Sequence, residues 1–190
     1  LGERMLKSFI KSADSSTKIK YQNDLVDLYD EWLKYFPKSK RGVSEIGKIL
    51  AIKAQTLSDY KLASESEIIK IYDEAFLTDS ESFKSPKSLY NYFKIYFNLY
   101  KSGDQNVTLE KVFDKYEELT EKFEFEMSSY TSKLDALIQK EENSDPLSAR
   151  EIRNKKVYEV NMVACDTYLS NLNAIIAQES TCENLIPLYR

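Results

Sequence analysis

Between Leu109 and Leu137 apolar residues fall at Leu109, Val112, Tyr116, Leu119, Phe123, Met127, Tyr130, Leu134 and Leu137, always three or four positions apart. Only the helical period collects such a set on one stripe, so the spacing predicts a single long helix over 108–142. The doubled step of four that ends at Met127 is a stutter, which locally unwinds a supercoil. Asn143, Ser144, Asp145 and Pro146 then combine turn formers with a residue that cannot continue a helix. Folding the chain back there gives a second helix over 148–179, with Tyr130 opposite Val157, Met127 opposite Val160, Phe123 opposite Ala164, Leu119 opposite Tyr168 and Val112 opposite Ile175. The hairpin would span roughly 45 Å at ~1.5 Å per residue. Glu118 with Lys122 and Glu151 with Lys155 are spaced for surface ion pairs. The tip, Glu141 to Arg150, is polar, and reads either as the solvated end of a strut or as a docking arm. Met162, Val163 and Ala164 widen the returning helix's apolar surface, which predicts packing of its base on the preceding helices.

The rest of the chain carries the same signature. Four Gly and four Pro in 190 residues leave few places to turn many short strands, and 42% hydrophobic with 31% charged residues is a globular composition. Further helices are expected near 2–12, 19–36, 43–58, 65–78 and 86–102. Ser64 with Glu67 and Ser148 with Glu151 have capping-box spacing, Ser85 and Pro86 open a helix, and Gly103 closes it. Thr108 caps the long helix. Short polar connections make consecutive helices antiparallel neighbours.

Residues 85–103 form a helix that is apolar and aromatic on almost every side. Leu89, Phe93, Tyr96, Phe97 and Tyr100 make one stripe; Tyr92, Ile95 and Leu99 make a second. A helix stacked between two neighbours needs two buried faces. The rival reading places Tyr90 and Tyr92 on an open groove for a peptide, tyrosine being a favoured contact residue.

The sequence contains no histidine, which removes histidine-based triads, the usual catalytic zinc sites and the neutral-pH proton shuttle. Its four glycines build neither a P-loop nor a dinucleotide fingerprint. Asp114, Glu117, Glu118 and Glu121 read as the wet side of a helix, no spacing matches a calcium loop, and Asn106-Val107-Thr108 reads as a cap before it reads as a glycosylation acceptor. No catalytic residue, metal ligand or cofactor is expected. A net charge of −4 and a pI near 5.2 supply no basic field for nucleic acid, and no window has the ~20 apolar residues of a membrane span. Cys165 and Cys182, roughly 20 Å apart along a continuous helix, are too distant for a bridge; both read as buried thiols.

Two stretches, "LYDEWLKYFPKS" with Tyr29, Trp32 and Pro37, and "IYDEAFLTDSES" with Tyr72, Ala75 and Asp79-Ser80, share an aromatic residue, a packing residue three later and a helix stop. They resemble the second helix of a tetratricopeptide repeat, although the interval from Tyr29 to Tyr72 is 43 residues against 34 in that repeat. "IYDEAFLTDSESFKSPKSLYNYFKIYFNLYKSG", "VFDKYEELTEKFE" and the ending "CENLIPLY" together resemble a group of exported tetratricopeptide-like helical proteins of Bacteroidetes-type bacteria. The resemblance implies a periplasmic or cell-envelope location, further repeats after Arg190 and a neighbour for Cys182 outside this sequence.

These readings converge on an all-α fold. Antiparallel hairpins stack in a tetratricopeptide-like right-handed superhelix over 1–105, and a long antiparallel hairpin continues it over 106–190. The function expected is that of a non-enzymatic scaffold for a protein or peptide partner, with Tyr90 and Tyr92 as candidate contacts. The alternative is an adaptor that self-associates through Phe125 and Met162 of the long hairpin. A small-molecule binder or carboxylate enzyme ranks third.

Overall fold

The computed structural model describes residues 2–185; the end of the "CENLIPLY" stretch lies outside them. The described residues form helices α1 (Gly2–Ser12), α2 (Ser15–Tyr35), α3 (Ile46–Tyr60), α4 (Glu65–Asp79), α5 (Pro86–Lys101), α6 (Leu109–Glu142), α7 (Ala149–Ile176) and α8 (Cys182–Leu185), with no strand among them. The chain divides into two compact units, Leu1–Ser88 and Leu89–Arg190. The boundary falls in the first turn of α5, whose later rings engage α6 and α7: Phe93 meets Tyr116 edge-on at 6.2 Å and Tyr90 stacks on Tyr168 at 5.3 Å.

In the first unit each helix packs on its predecessor, α2 on α1, α3 on α2 and α4 on α3. Ile10, Leu25, Tyr29 and Ile49 form one buried cluster, flanked by Leu6, Trp32 and Leu33. Tyr72 and Ala75 are fully buried, and Tyr72 stacks on Phe83 at 5.8 Å. The two aromatic positions of the sequence pattern, Tyr29 in α2 and Tyr72 in α4, are both fully buried. Asp14 starts α2 four residues earlier than expected, its carboxylate accepting from the Thr17 N–H at 2.9 Å. Both capping boxes form: the Glu67 carboxylate accepts from the Ser64 N–H at 2.9 Å, and Glu151 does the same for Ser148 at 2.8 Å. Lys61 closes α3 with a left-handed φ of 55°.

A clasp joins the start of α3 to the end of α4. The Asp79 carboxylate accepts from the Ser44 hydroxyl at 2.6 Å, the Ser82 hydroxyl at 2.6 Å and the Gly47 N–H at 3.3 Å. Burial raises the Asp79 pKa, but these hydrogen bonds outweigh it and hold the carboxyl below its usual value.

In the second unit α6 and α7 form the expected antiparallel hairpin. Its axial register agrees with the sequence reading to within about two residues: Tyr130 stacks on Tyr158 at 6.1 Å, and the Tyr116 hydroxyl donates to Asn173 at 2.9 Å. The rotation of α7 does not agree. Tyr158, Cys165, Leu172 and Ile176 face inward, whereas Val157 and Val160 are 53% and 59% exposed. Val163, expected to pack on the preceding helices, is 68% exposed. Apolar residues occur on both sides of α7, so spacing alone did not choose its inner face. The expected ion pairs also change partners. Lys122 bonds Glu126 at 2.6 Å and both are buried, while Glu118 meets Lys115. Across the tip, Glu151 meets Lys140 at 2.9 Å and Lys155 meets Glu141 at 2.6 Å. These bonds, with Ser144 at a φ of 60°, tie the two ends of the tip together. Cys165 is buried as expected; Cys182 is exposed instead, since it opens the short α8 rather than continuing α7.

Candidate functional site

Tyr90 and Tyr92 are both engaged within the second unit. The Tyr92 side chain is fully buried; its hydroxyl accepts from the Lys115 ammonium at 2.9 Å, which also lies 4.8 Å from the ring centre. Tyr90 is half-buried with its ring against Tyr168. Tyr92 therefore builds core and offers no surface to a partner, while Tyr90 packs one face on Tyr168. A groove contact through Tyr92, as the sequence reading had it, is thereby ruled out.

Exposed aromatic surface collects instead at the C-terminal end of α2. Tyr35 and Phe36 are 61% and 66% exposed, and with Trp32 they wall a cleft of about 310 Å³ whose remaining lining is Gly2, Glu3, Leu28 and Glu31. The local sequence explains the arrangement. Leu25 and Tyr29 lie on the inward stripe of α2, Trp32 follows three residues later at its edge, and the helix ends at Tyr35 before Pro37. The last residues leave the packed face, so their rings point outward. Trp32 stacks on Tyr29 at 6.5 Å, which orients the indole from below. Gly2 leaves the opposite wall low, the Leu28 methyl being 3.5 Å from where a Cβ would stand.

Charge is arranged round this cleft with some order. The Glu3 carboxylate accepts from the Tyr29 hydroxyl at 3.0 Å and pairs with Lys7 at 2.7 Å. Burial pushes its pKa up, and the bonds from Lys7 and Tyr29 more than reverse that, leaving it below the usual value. Desolvation and the neighbouring carboxylate push the Tyr29 hydroxyl strongly upward, so it stays protonated and a donor. Glu31 is exposed on the rim. The rings already attract cations from within the chain: Lys48 lies 5.7 Å from Trp32 and Lys34 lies 5.0 Å from Tyr35.

A second cleft, of about 360 Å³, surrounds the Asp79 clasp and is lined by Ser39, Ser44, Lys48, Asp79, Ser82 and Lys84 among others. Asp79 itself accepts the Gly47 N–H that an anion at the start of α3 would use, so this cleft works as a structural joint. Among the described residues no three His, Cys, Asp or Glu side chains gather in an arrangement that could hold a metal ion. No helix among them is long and apolar enough to cross a membrane.

The sequence did contain the aromatic cleft. "WLKYFP" places three rings in five residues immediately before a proline, and reading the stretch only as a helix stop passed over the fact that a helix end is where such rings become free. No family model matches the chain, and neither a curated protein nor a solved structure matches it.

Proposed function

We propose that this protein is a helical scaffold that binds a peptide segment of a partner protein in the Trp32–Tyr35–Phe36 cleft. The observation that carries the reading is the pair of rings left more than three-fifths exposed at one helix end, next to a third ring and an apolar floor. Large amphipathic rings in a desolvating pocket are the side chains on which partner binding usually concentrates. Glu31 on the rim favours a partner segment that carries a basic residue beside an apolar one. The packing of α1 on α2 and of α3 on α4, each pair with a fully buried tyrosine in its second helix, supports a tetratricopeptide-like arrangement for the unit that bears the cleft.

Trp32 is the chain's one tryptophan, so its emission reads the cleft directly. Selection from a displayed random-peptide library against the whole chain is expected to enrich segments with a Phe, Leu or Tyr next to Lys or Arg. Titration of the enriched peptides should shift Trp32 emission. A Tyr35→Ala/Phe36→Ala variant, whose circular dichroism should match the parent because both rings are exposed, is expected to bind at least about tenfold more weakly. Equal binding by that variant, or peptides that leave the Trp32 emission unchanged, would place recognition elsewhere and overturn the assignment.

A further inference from the structure

The connection between α2 and α3, residues 36–45, is the longest between consecutive helices among the described residues, and it is not slack chain. An antiparallel bridge joins Lys38 to Ser44; the Ser39 N–H donates to the Val43 carbonyl at 2.8 Å and the Glu45 N–H to the Pro37 carbonyl at 2.9 Å. Between Ser39 and Val43 the chain reverses through Lys40, Arg41 and Gly42, with the Gly42 N–H donating to the Ser39 carbonyl at 2.9 Å and Gly42 at a left-handed φ of 79°. This is a three-residue hairpin loop closed by a glycine in the left-handed region. Its root is fastened to α4, because the Ser44 hydroxyl is one of the donors of the Asp79 clasp. A shorter, unpaired loop would join the two helices as well, so the finger is accounted for by what it presents.

It presents positive charge interleaved with apolar surface. Lys38, Lys40 and Arg41 are exposed, and among the described residues none of the three side chains has an ion-pair or hydrogen-bond partner. No acidic residue interrupts the chain from Trp32 to Ser44. The acids around the finger are largely matched: Glu45 pairs with Lys48 at 2.7 Å, Asp79 is spent on the clasp, Glu81 shares the adjoining cleft with Lys84, and Glu31 stands one turn before the exposed Lys34. Beside the turn Val43 is 64% exposed, and Phe36 stands exposed at the root. A purely hydrophilic polyanion would leave Val43 in water. A bilayer with anionic headgroups meets both properties, since its phosphates attract the cations and the boundary between headgroups and acyl chains takes in the apolar side chains. The chain's net charge of −4 does not oppose this, because acids more than ~10 Å from the contact are screened at ~0.1 M salt.

We infer that the finger between α2 and α3 docks the protein on an anionic bilayer surface, with Lys38, Lys40 and Arg41 on headgroup phosphates and Val43 in the interfacial layer. The contact is peripheral and reversible, since a few cations and one or two apolar side chains are far from the hold of a spanning helix. It goes beyond the peptide-binding reading and does not rest on it: none of these four residues lines the aromatic cleft.

Co-sedimentation of the whole chain with vesicles tests it, comparing pure phosphatidylcholine with phosphatidylcholine that carries about 30% phosphatidylglycerol, at about 0.05 M salt. Binding is expected to the mixed vesicles alone, and should fall at least about tenfold at about 0.5 M salt. Lys38→Glu/Lys40→Glu/Arg41→Glu should weaken it at least about thirtyfold. Val43→Phe should strengthen it and Val43→Ser weaken it, each about threefold, a pair of effects that a contact made by charge alone would not show. All the side chains substituted are exposed, and circular dichroism checks that the helices persist. Titration with a single-stranded oligonucleotide at the same salt is the control for a general polyanion site. Equal binding to both kinds of vesicle, a triple variant that binds as the parent does, indifference to both changes at Val43, or tighter binding to the oligonucleotide than to the mixed vesicles would each overturn the proposal.

Discussion

At Gly47 a hydrogen in place of a side chain lets the first turn of α3 close over the last turn of α4. A Cβ there would stand 2.0 Å from the Asp79 carbonyl oxygen and 3.0 Å from that of Ala75. Backbone carbonyls inside a helix cannot swing aside as a flexible side chain would, so the hairpin must open to admit a methyl. Gly47→Ala is expected to lower the unfolding free energy by about 1–3 kcal/mol, although alanine is the better helix former by about 1 kcal/mol; urea denaturation followed by circular dichroism measures it, and unchanged stability would contradict the close approach. The Lys122–Glu126 pair poses the opposite problem, two charges at 9% and 1% exposure that satisfy each other at 2.6 Å. Lys122→Met alone leaves a buried carboxylate uncompensated and should cost about 3–5 kcal/mol, whereas Lys122→Met/Glu126→Leu should come close to the parent. A double variant as damaged as the sum of its single ones would mean that the two charges are not coupled. Glu126 also bears on Cys165: burial first, and then that carboxylate's charge, pushes the thiol up to about 11.

Helix ends carry most of what could be read directly from the chain. The boxes at Ser64 and Ser148, the cap at Thr108, the proline opening α5 and the left-handed Gly103 are each set by two or three neighbouring residues, and each forms where expected. Asp14 escaped notice because "ADSST" reads equally as loop, and only the Thr17 N–H bond turns it into a cap. The rotation of α7 was not legible for a different reason. Its apolar residues occupy opposite sides, and which side turns inward depends on fit with α6, where Tyr130 accepts the flat ring of Tyr158 rather than a valine. Ion-pair partners were missed likewise, since Lys122 has glutamates four residues away on both sides and burial selects Glu126. At the tip of the hairpin the Ser148 cap can be tested by itself. Ser148→Ala should destabilise by about 1 kcal/mol at neutral pH in thermal or urea unfolding. Hydrogen bonds from the Ser148 hydroxyl, the Lys140 ammonium and the Ser148 N–H depress the Glu151 pKa to about 2. A depressed folded-state value stabilises the fold above the ordinary carboxylate range and is lost as pH falls from there toward the depressed value. The parent should thus lose part of its tip stability between about pH 4.5 and about pH 2. Glu151→Gln should flatten that part of the profile; an unaltered acid limb would argue against the assigned bonds.

Over the whole molecule, the all-helical class followed from period, punctuation and the shortage of glycine and proline, while the division into units did not. Gly103 marks where a helix stops, and a helix stop is a local event; which unit owns α5 is decided by rings such as Phe93 and Tyr90 meeting partners in α6 and α7, 23 and 78 residues further on. A chain begun at Ser85, which keeps the cap of α5, should therefore retain its helical circular dichroism and unfold cooperatively; a non-cooperative melt would show that the second unit needs the first. The arrangement of thiols and indole has a practical side. Cys165 is buried with a thiol poorly ionised at neutral pH, while Cys182 is exposed, so a thiol-reactive dye will label one position in the second unit. Trp32 is a lone donor in the first. The native sequence thus supplies a fluorescent donor and a dye attachment point, one in each unit, so that energy transfer can be recorded while a candidate peptide is titrated, without a single added residue.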